Sequence, residues 1–172
     1  DKAKWMVDNI VTNSWNDQTD LGKPIKECIF ELKQAYPKYA PYIVAYWYCY
    51  KDMDAGEIPG IYDVMKDLKD RGYQLYCLTN WSHETFPIVK EVHARLFELF
   101  DGIVVSGEEK MVKPNPEIYN LLLGRYNLNA SESVFIDDRQ RNVDGANQVG
   151  IQGILFTGSN NLKEQLAHLS IL

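Results

Sequence analysis

The sequence predicts an α/β protein built on a parallel sheet, with a small α-helical cap. Three observations carry this expectation. From residue 57 onward, short apolar runs alternate with segments of helical periodicity, the pattern of a parallel sheet with right-handed crossovers. Runs such as Val134-Phe135-Ile136 and Ile103-Val104-Val105 show no in-out alternation, as strands covered on both faces do. Residues 1–56 instead repeat apolar side chains at helical spacing. The expected arrangement is a three-layer Rossmann-like core over 57–172 and a helical cap over 1–56.

Taken in order, Trp5, Asn9 and Thr12 sit at helical spacing and predict a first cap helix over 2–12. Residues 13–23 are polar and read as a loop carrying Trp15, Asp17, Asp20 and Gly22. Pro24 suits a helix start, and Ile25, Cys28, Ile29 and Leu32 share one face before Tyr36-Pro37 closes that helix. Pro41 opens the next, where Ile43, Tyr46, Trp47 and Tyr50 read as the core of a small bundle. Trp15 and Trp81 stand in polar loop sequence instead and are the aromatic candidates for a pocket. Lys51–Pro59 is a polar hinge. Gly60 to Arg71 reads as a helix with Ile61, Val64, Met65 and Leu68 inward, stopped at Gly72, and a strand runs from there to Thr79. Ser82 is placed to cap a helix to Arg95, in which Pro87 is tolerable only in the first turn. A strand at 103–105, a loop over Gly107–Val112 and a helix opened by Asn115-Pro116 follow. Strand 133–137, helix 142–149 ending at Gly150, strand 152–156 and a helix over 160–168 complete the alternation.

A chain of 172 residues is long enough for one main domain plus an insertion. Its formal net charge of −6 leaves no basic stripe for nucleic acid, yet one lysine and a metal ion suffice to attract a small anion. Cys28, Cys49 and Cys77 are odd in number and lack paired spacing, which argues against a disulfide framework or a zinc site. Neither a signal peptide nor a membrane-spanning run is present, so the expected location is the cytoplasm, with no membrane partner.

Two adjacent carboxylates, Asp137 and Asp138, end the 134–136 run. At about 4 Å and an effective dielectric near 20 they would repel by roughly 4 kcal/mol. One reading is a helix-capping acid beside an exposed one. The other is a cation site, and hard carboxylate oxygens suit Mg²⁺. Two further fragments favour the second. A strand ends at Thr79-Asn80, and Lys113-Pro114 stands just before a proline-opened helix. Ligands of open α/β sheets sit outside the carboxyl ends of the strands, where Thr79, Asn80, Asp137 and Asp138 project and Lys113 is on a neighbouring loop. A hydroxyl, an ammonium and paired acids form the set that phosphoryl transfer needs, because its catalysis is mostly positioning and charge neutralisation.

In this order and spacing, Leu78-Thr79-Asn80-Trp81-Ser82, Val112-Lys113-Pro114-Asn115-Pro116-Glu117-Ile118-Tyr119 and Phe135-Ile136-Asp137-Asp138 resemble motifs II, III and IV of the haloacid dehalogenase superfamily. The closest look is to its small phosphatases with a helical cap. The resemblance implies that Thr79 binds a phosphoryl oxygen and Asn80 helps position substrate, beside the candidate pocket residues Trp81 and Trp15. It implies that Lys113 neutralises phosphate and nucleophile, and that Asp138, with Asp137, holds Mg²⁺. Asn142 stands where many members carry a second metal-site acid, and its amide oxygen can accept from a metal-bound water. Arg139 and Arg141 read as screening the carboxylates, and His83 and His93 as surface or capping groups. The family's nucleophilic aspartate, carried just after its first strand, has no counterpart here; Asp8-Asn9-Ile10-Val11-Thr12 lacks the second acid and a preceding strand. The expectation is therefore a strand, its loop and a connection upstream of residue 1, about 25–35 residues in all. The implied activity is Mg²⁺-dependent hydrolysis of a small phosphorylated metabolite through an aspartyl-phosphate. The alternatives are a metal-free 2-haloacid dehalogenase, against which the acid pair argues, and a catalytically inactive interaction module. A phospho-acceptor receiver domain is disfavoured, because there the acid pair precedes the Thr and Lys-Pro elements.

Overall fold

The computed structural model describes residues 2–172, apart from the side chains of residues 2, 3, 7, 13, 14 and 50. Four helices form the first part: α1 (Lys2–Asn9), α2 (Asn13–Asp20), α3 (Ile25–Ala35) and α4 (Ala40–Tyr48). They enclose one apolar cluster of Met6, Ile10, Val11, Trp15, Ile25, Cys28, Leu32, Ile43 and Trp47. Trp15 and Trp47 pack with ring centroids 5.5 Å apart.

Helix α5 (Ile61–Asp70) opens the alternating part. It is followed by β1 (Tyr76–Thr79), α6 (Phe86–Val92), α7 (Ala94–Phe97), β2 (Gly102–Val105), α8 (Ser106–Glu109) and α9 (Pro116–Tyr126). Then come β3 (Val134–Asp137), α10 (Gln140–Gln148), β4 (Gln152–Leu155) and α11 (Ser159–His168). All pairing is parallel. β1 joins β2 from Tyr76↔Gly102 to Thr79↔Val105, and β3 joins β4 from Val134↔Gln152 to Asp137↔Leu155. The two pairs are separate two-stranded sheets among the described residues. Helices cover both faces. Ile118, Tyr119, Leu122 and Ala146 pack with Leu78 and Val104 on one side, while Val64, Leu68, Leu162 and Leu166 pack with Ile154 on the other. This is the α/β, Rossmann-like layering expected of the sequence.

Three local expectations are corrected. Residues 13–20 form a helix, not a loop. Their sequence has little apolar periodicity, but Trp15 and Thr19 bury one face and the Thr19 hydroxyl donates to the Asn16 carbonyl at 2.8 Å. Tertiary packing, not propensity, holds such a short helix. The helix expected from Ser82 starts at Phe86 and breaks at His93. The Ser82 hydroxyl instead accepts from the Glu84 amide in a turn, and the hinge ties the break down through His93–Asp54 at 2.6 Å and Arg95–Glu57. Residues 107–109, expected at the start of the loop over Gly107–Val112, belong to a short helix, Ser106–Glu109.

The end of α2 lies close to the strand ends. Gly22 has φ +88°, and a Cβ there would fall 2.7 Å from the Gly107 carbonyl oxygen, so glycine is needed both for the turn and for the approach. The Ile25 amide donates to Glu84 across the same contact at 2.8 Å.

Candidate active site

Lys113 bridges the carboxyl ends of β1 and β3, which belong to separate strand pairs. Its Nζ donates to the Leu78 carbonyl at 2.7 Å and to Asp137 Oδ2 at 2.7 Å. Both side chains of that ion pair are over nine-tenths buried. Asp137 Oδ1 accepts from the Arg139 amide and from Asn142 Nδ2, each at 2.9 Å. Burial alone would raise the Asp137 carboxyl; the Lys113 ammonium and these hydrogen bonds outweigh it and hold the group below the usual carboxylate range. An ammonium has three N–H donors. Two are engaged, which leaves one for a ligand.

Asn80 fixes this lysine. Its Oδ1 accepts from the Lys113 amide at 2.8 Å and its Nδ2 donates to the Lys113 carbonyl at 3.0 Å. Asn80, expected to help position substrate, lines the cavity and is held through both ends of its amide to the Lys113 backbone. α9 and α10 set the other side. The Tyr119 hydroxyl donates to the Asn142 carbonyl at 2.7 Å, and Gly145 lets α10 approach Pro114, whose carbonyl oxygen would stand 2.5 Å from a Cβ at that position.

Around this core lies a cavity of about 330 Å³, lined by Thr79, Asn80, Trp81, Lys113, Asp137 and Asp138 together. The Thr79 hydroxyl and the exposed Asp138 carboxylate make no hydrogen bond among the described residues. Asp137 and Asp138, adjacent in sequence, thus divide. Asp137 is engaged by Lys113 and Asn142, and Asp138 is open to the cavity. Asn142 is 4% exposed, and its Oδ1 has no partner among the described residues. The Trp81 backbone is pinned to the end of β2, its amide donating to Ser106 Oγ at 2.9 Å and its carbonyl accepting from the Gly107 amide.

Trp15 is corrected. It is 8% exposed and belongs to the apolar cluster of the four helices, away from the cavity. The tryptophan at the cavity wall from that region is Trp47 of α4, with Tyr46 beside it. α2 adds Asn16, Asp17 and Asp20, and the segment after β3 adds Arg139 and Arg141. Of these, the sequence places only Arg139 and Arg141 near the acid pair, as screening groups, and does not assign the α2 residues to the site. Burial, together with the neighbouring Asp17, pushes the Asp20 carboxyl up to about 6, against the opposing pull of Arg139 and Lys113. The 1, 4, 5 spacing of Asn16, Thr19 and Asp20 was the available signal, legible only once residues 13–20 are seen as a helix.

Residues 9–150 match the sequence model of haloacid dehalogenase-like hydrolases. The chain belongs to that family. Among curated relatives, the sesquiterpene phosphatase astK of Aspergillus oryzae is 36% identical over 96 residues, 56% of this chain and 48% of that protein. The ribulose-1,5-bisphosphate 5-phosphatase of Halopiger xanaduensis is 29% identical over 116 residues, 67% of this chain and 48% of its own length. The chain thus spans about half the length of the curated relatives it matches. A HAD family enzyme of Bacteroides thetaiotaomicron, solved as a magnesium complex, superposes with a TM-score of 0.75 at 20% identity, over 92% of this chain and 82% of that one.

Proposed function

We propose that this protein is a Mg²⁺-dependent phosphohydrolase that cleaves small phosphomonoesters through an aspartyl-phosphate. The observation that carries the reading is Lys113, a buried ammonium with one donor unengaged, at the same cavity as the unpartnered Thr79 hydroxyl. In this reading both donate to phosphoryl oxygens, and Asn80 holds the lysine in place. The attacking carboxylate would be carried on a strand between β1 and β3, whose facing edges are not bonded to each other. Covalent catalysis of this kind divides one barrier into two lower ones. Relatives named as phosphatases, and a structural neighbour bound to magnesium and inorganic phosphate, support the class of reaction.

The residues present suit Mg²⁺. Asp138 and the orphaned Asn142 Oδ1 are hard oxygen donors at one cavity, and Mg²⁺ usually keeps several waters beside one or two carboxylates and the substrate's phosphate. Among the described residues no cluster of three or more His, Cys, Asp or Glu offers a self-sufficient metal cage. When bound, the ion neutralises charge on phosphoryl oxygens. No helix among the described residues is long and apolar enough to cross a membrane; the reading places the protein in the cytoplasm, acting on free metabolites.

The test is phosphate release by the full-length protein from p-nitrophenyl phosphate and a metabolite panel, with Mg²⁺ and with chelator. Asp138→Asn should weaken Mg²⁺ affinity, read as Mg²⁺-dependent thermal stabilisation, by at least about tenfold. Its stability without metal should move by no more than about 0.5 kcal/mol, because the group is exposed and unpaired. Turnover that survives chelation, or a variant that binds Mg²⁺ as the parent does, refutes the proposal.

A further inference from the structure

The strand ends explain one side of the cavity and leave the helical side unexplained. There Asp20 is half-buried, and its carboxylate has no hydrogen bond or ion pair among the described residues. Trp47 is 8% exposed, and its Nε1 has no partner among the described residues; the same holds for the buried Oδ1 of Asn16. All three residues line the cavity. Buried polar atoms without partners are uncommon in native proteins, and each costs about 1–3 kcal/mol. Burial and Asp17 raise the Asp20 carboxyl to about 6, and the pull of Arg139 and Lys113 only partly offsets them.

Resting on the phosphohydrolase reading, we infer that Asn16, Asp20 and Trp47 read the leaving group and select an uncharged, hydroxylated one, as in a small polyol or sugar phosphate. The helical wall leaves the Trp47 N–H, the Asn16 amide oxygen and the Asp20 carboxylate without partners among the described residues. A hydroxyl both accepts and donates, so one such group can accept from Trp47 Nε1 and donate to Asp20. An ammonium satisfies Asp20 but has nothing to give Trp47. A second carboxylate or phosphate held against this wall meets the charges of Asp20 and Asp17, the cations Arg139 and Arg141 being supplied from the segment after β3, and a purely apolar group leaves all three side chains unpaired. Sites built to hydrogen-bond a substrate reject analogues that leave their buried polar atoms unmatched.

The experiment uses the full-length protein, with the strand that carries the nucleophile, and compares kcat/KM for glycerol 3-phosphate, 2-phosphoglycolate and p-nitrophenyl phosphate in the parent, Asp20→Asn and Trp47→Phe. The parent should prefer glycerol 3-phosphate over 2-phosphoglycolate by at least about tenfold. Asp20→Asn should cut that preference to about threefold or less, by removing the charge that repels the second acid. Trp47→Phe, which keeps the ring and loses the N–H, should lower the glycerol 3-phosphate to p-nitrophenyl phosphate ratio by about fivefold. Hydrolysis with a preference that Asp20→Asn leaves unchanged, or a parent that favours 2-phosphoglycolate, overturns this inference alone. No hydrolysis of any of the three esters overturns it together with the phosphohydrolase reading.

Discussion

Replacing Lys113 by methionine should be among the most damaging single changes in this chain, and the structure sets its size and its pH dependence. The substitution keeps the apolar stem and removes the ammonium from two acceptors, the Leu78 carbonyl and Asp137. Removing one partner of a buried ion pair typically costs about 3–5 kcal/mol. Asp137 keeps its bonds from the Arg139 amide and Asn142, which favours the lower end. A ceiling comes from protonation. Neutralising an ordinary carboxyl at pH 7 costs about 1.4 kcal/mol per pH unit over roughly three units, so the stranded acid can cost no more than about 4 kcal/mol. The expected loss is therefore about 3 kcal/mol at pH 7, a fall in Tm of about 6–12 °C for a chain of this size. In the parent, Asp137 has a depressed folded pKa; its contribution is complete above the unfolded carboxylate pKa and is lost as pH falls through the folded value. In the variant, burial is unopposed by Lys113 and the folded pKa rises. The difference between the two proteins should thus be largest at neutral pH and shrink as pH falls through the carboxylate range. Urea unfolding at a series of pH values measures it, and the double variant with Asp137→Asn should recover about half the loss. A penalty below about 1 kcal/mol, or one independent of pH, would show that the pair does not carry the weight given to it.

Two other perturbations test the same construction. Gly145→Ala sits inside α10, where Ala ordinarily stabilises a helix by about 1 kcal/mol. Here the added Cβ would fall 2.5 Å from the Pro114 carbonyl oxygen, so thermal melts should show destabilisation by about 1–3 kcal/mol, and a stabilised variant would refute the close approach. Asp20→Asn should stabilise the fold at pH 7.5 and not at pH 4, because a carboxyl whose folded pKa is raised to about 6 disfavours folding only as it ionises above its unfolded pKa. The groups that set this balance are Asp17 on the same helix and Lys113 and Arg139 across the cavity. With solvent screening at the cavity wall the gain is on the order of 1 kcal/mol, and equal melts of parent and variant at pH 7.5 would contradict it.

Much of the fold was legible because strands covered on both faces must be uninterrupted apolar runs, and polar residues at their ends stand out. That is why Thr79, Asp137 and Lys113 could be singled out from sequence and are found at one cavity. What the residue types do not encode is direction. Asp137 and Asp138 are chemically identical, and only the positions of Lys113 and Asn142 make the first an internal partner and leave the second open. Asn80 looks like a ligand-binding amide until the Lys113 backbone is seen beside it. α2 was invisible for a different reason. One tryptophan in eight residues gives no apolar stripe, so the helix exists through contacts that the local sequence does not contain. With α2 unseen, Asn16 and Asp20 were scattered polar residues, and Trp15 was a candidate for the pocket that its helix turns it away from.

Lys113 occupies an unusual station, because the two strand pairs it touches share no backbone ladder among the described residues. Two of its three protons tie those pairs together. If the third meets the phosphoryl group as proposed, one nitrogen serves both the fold and the reaction, and a change there should alter stability and turnover together.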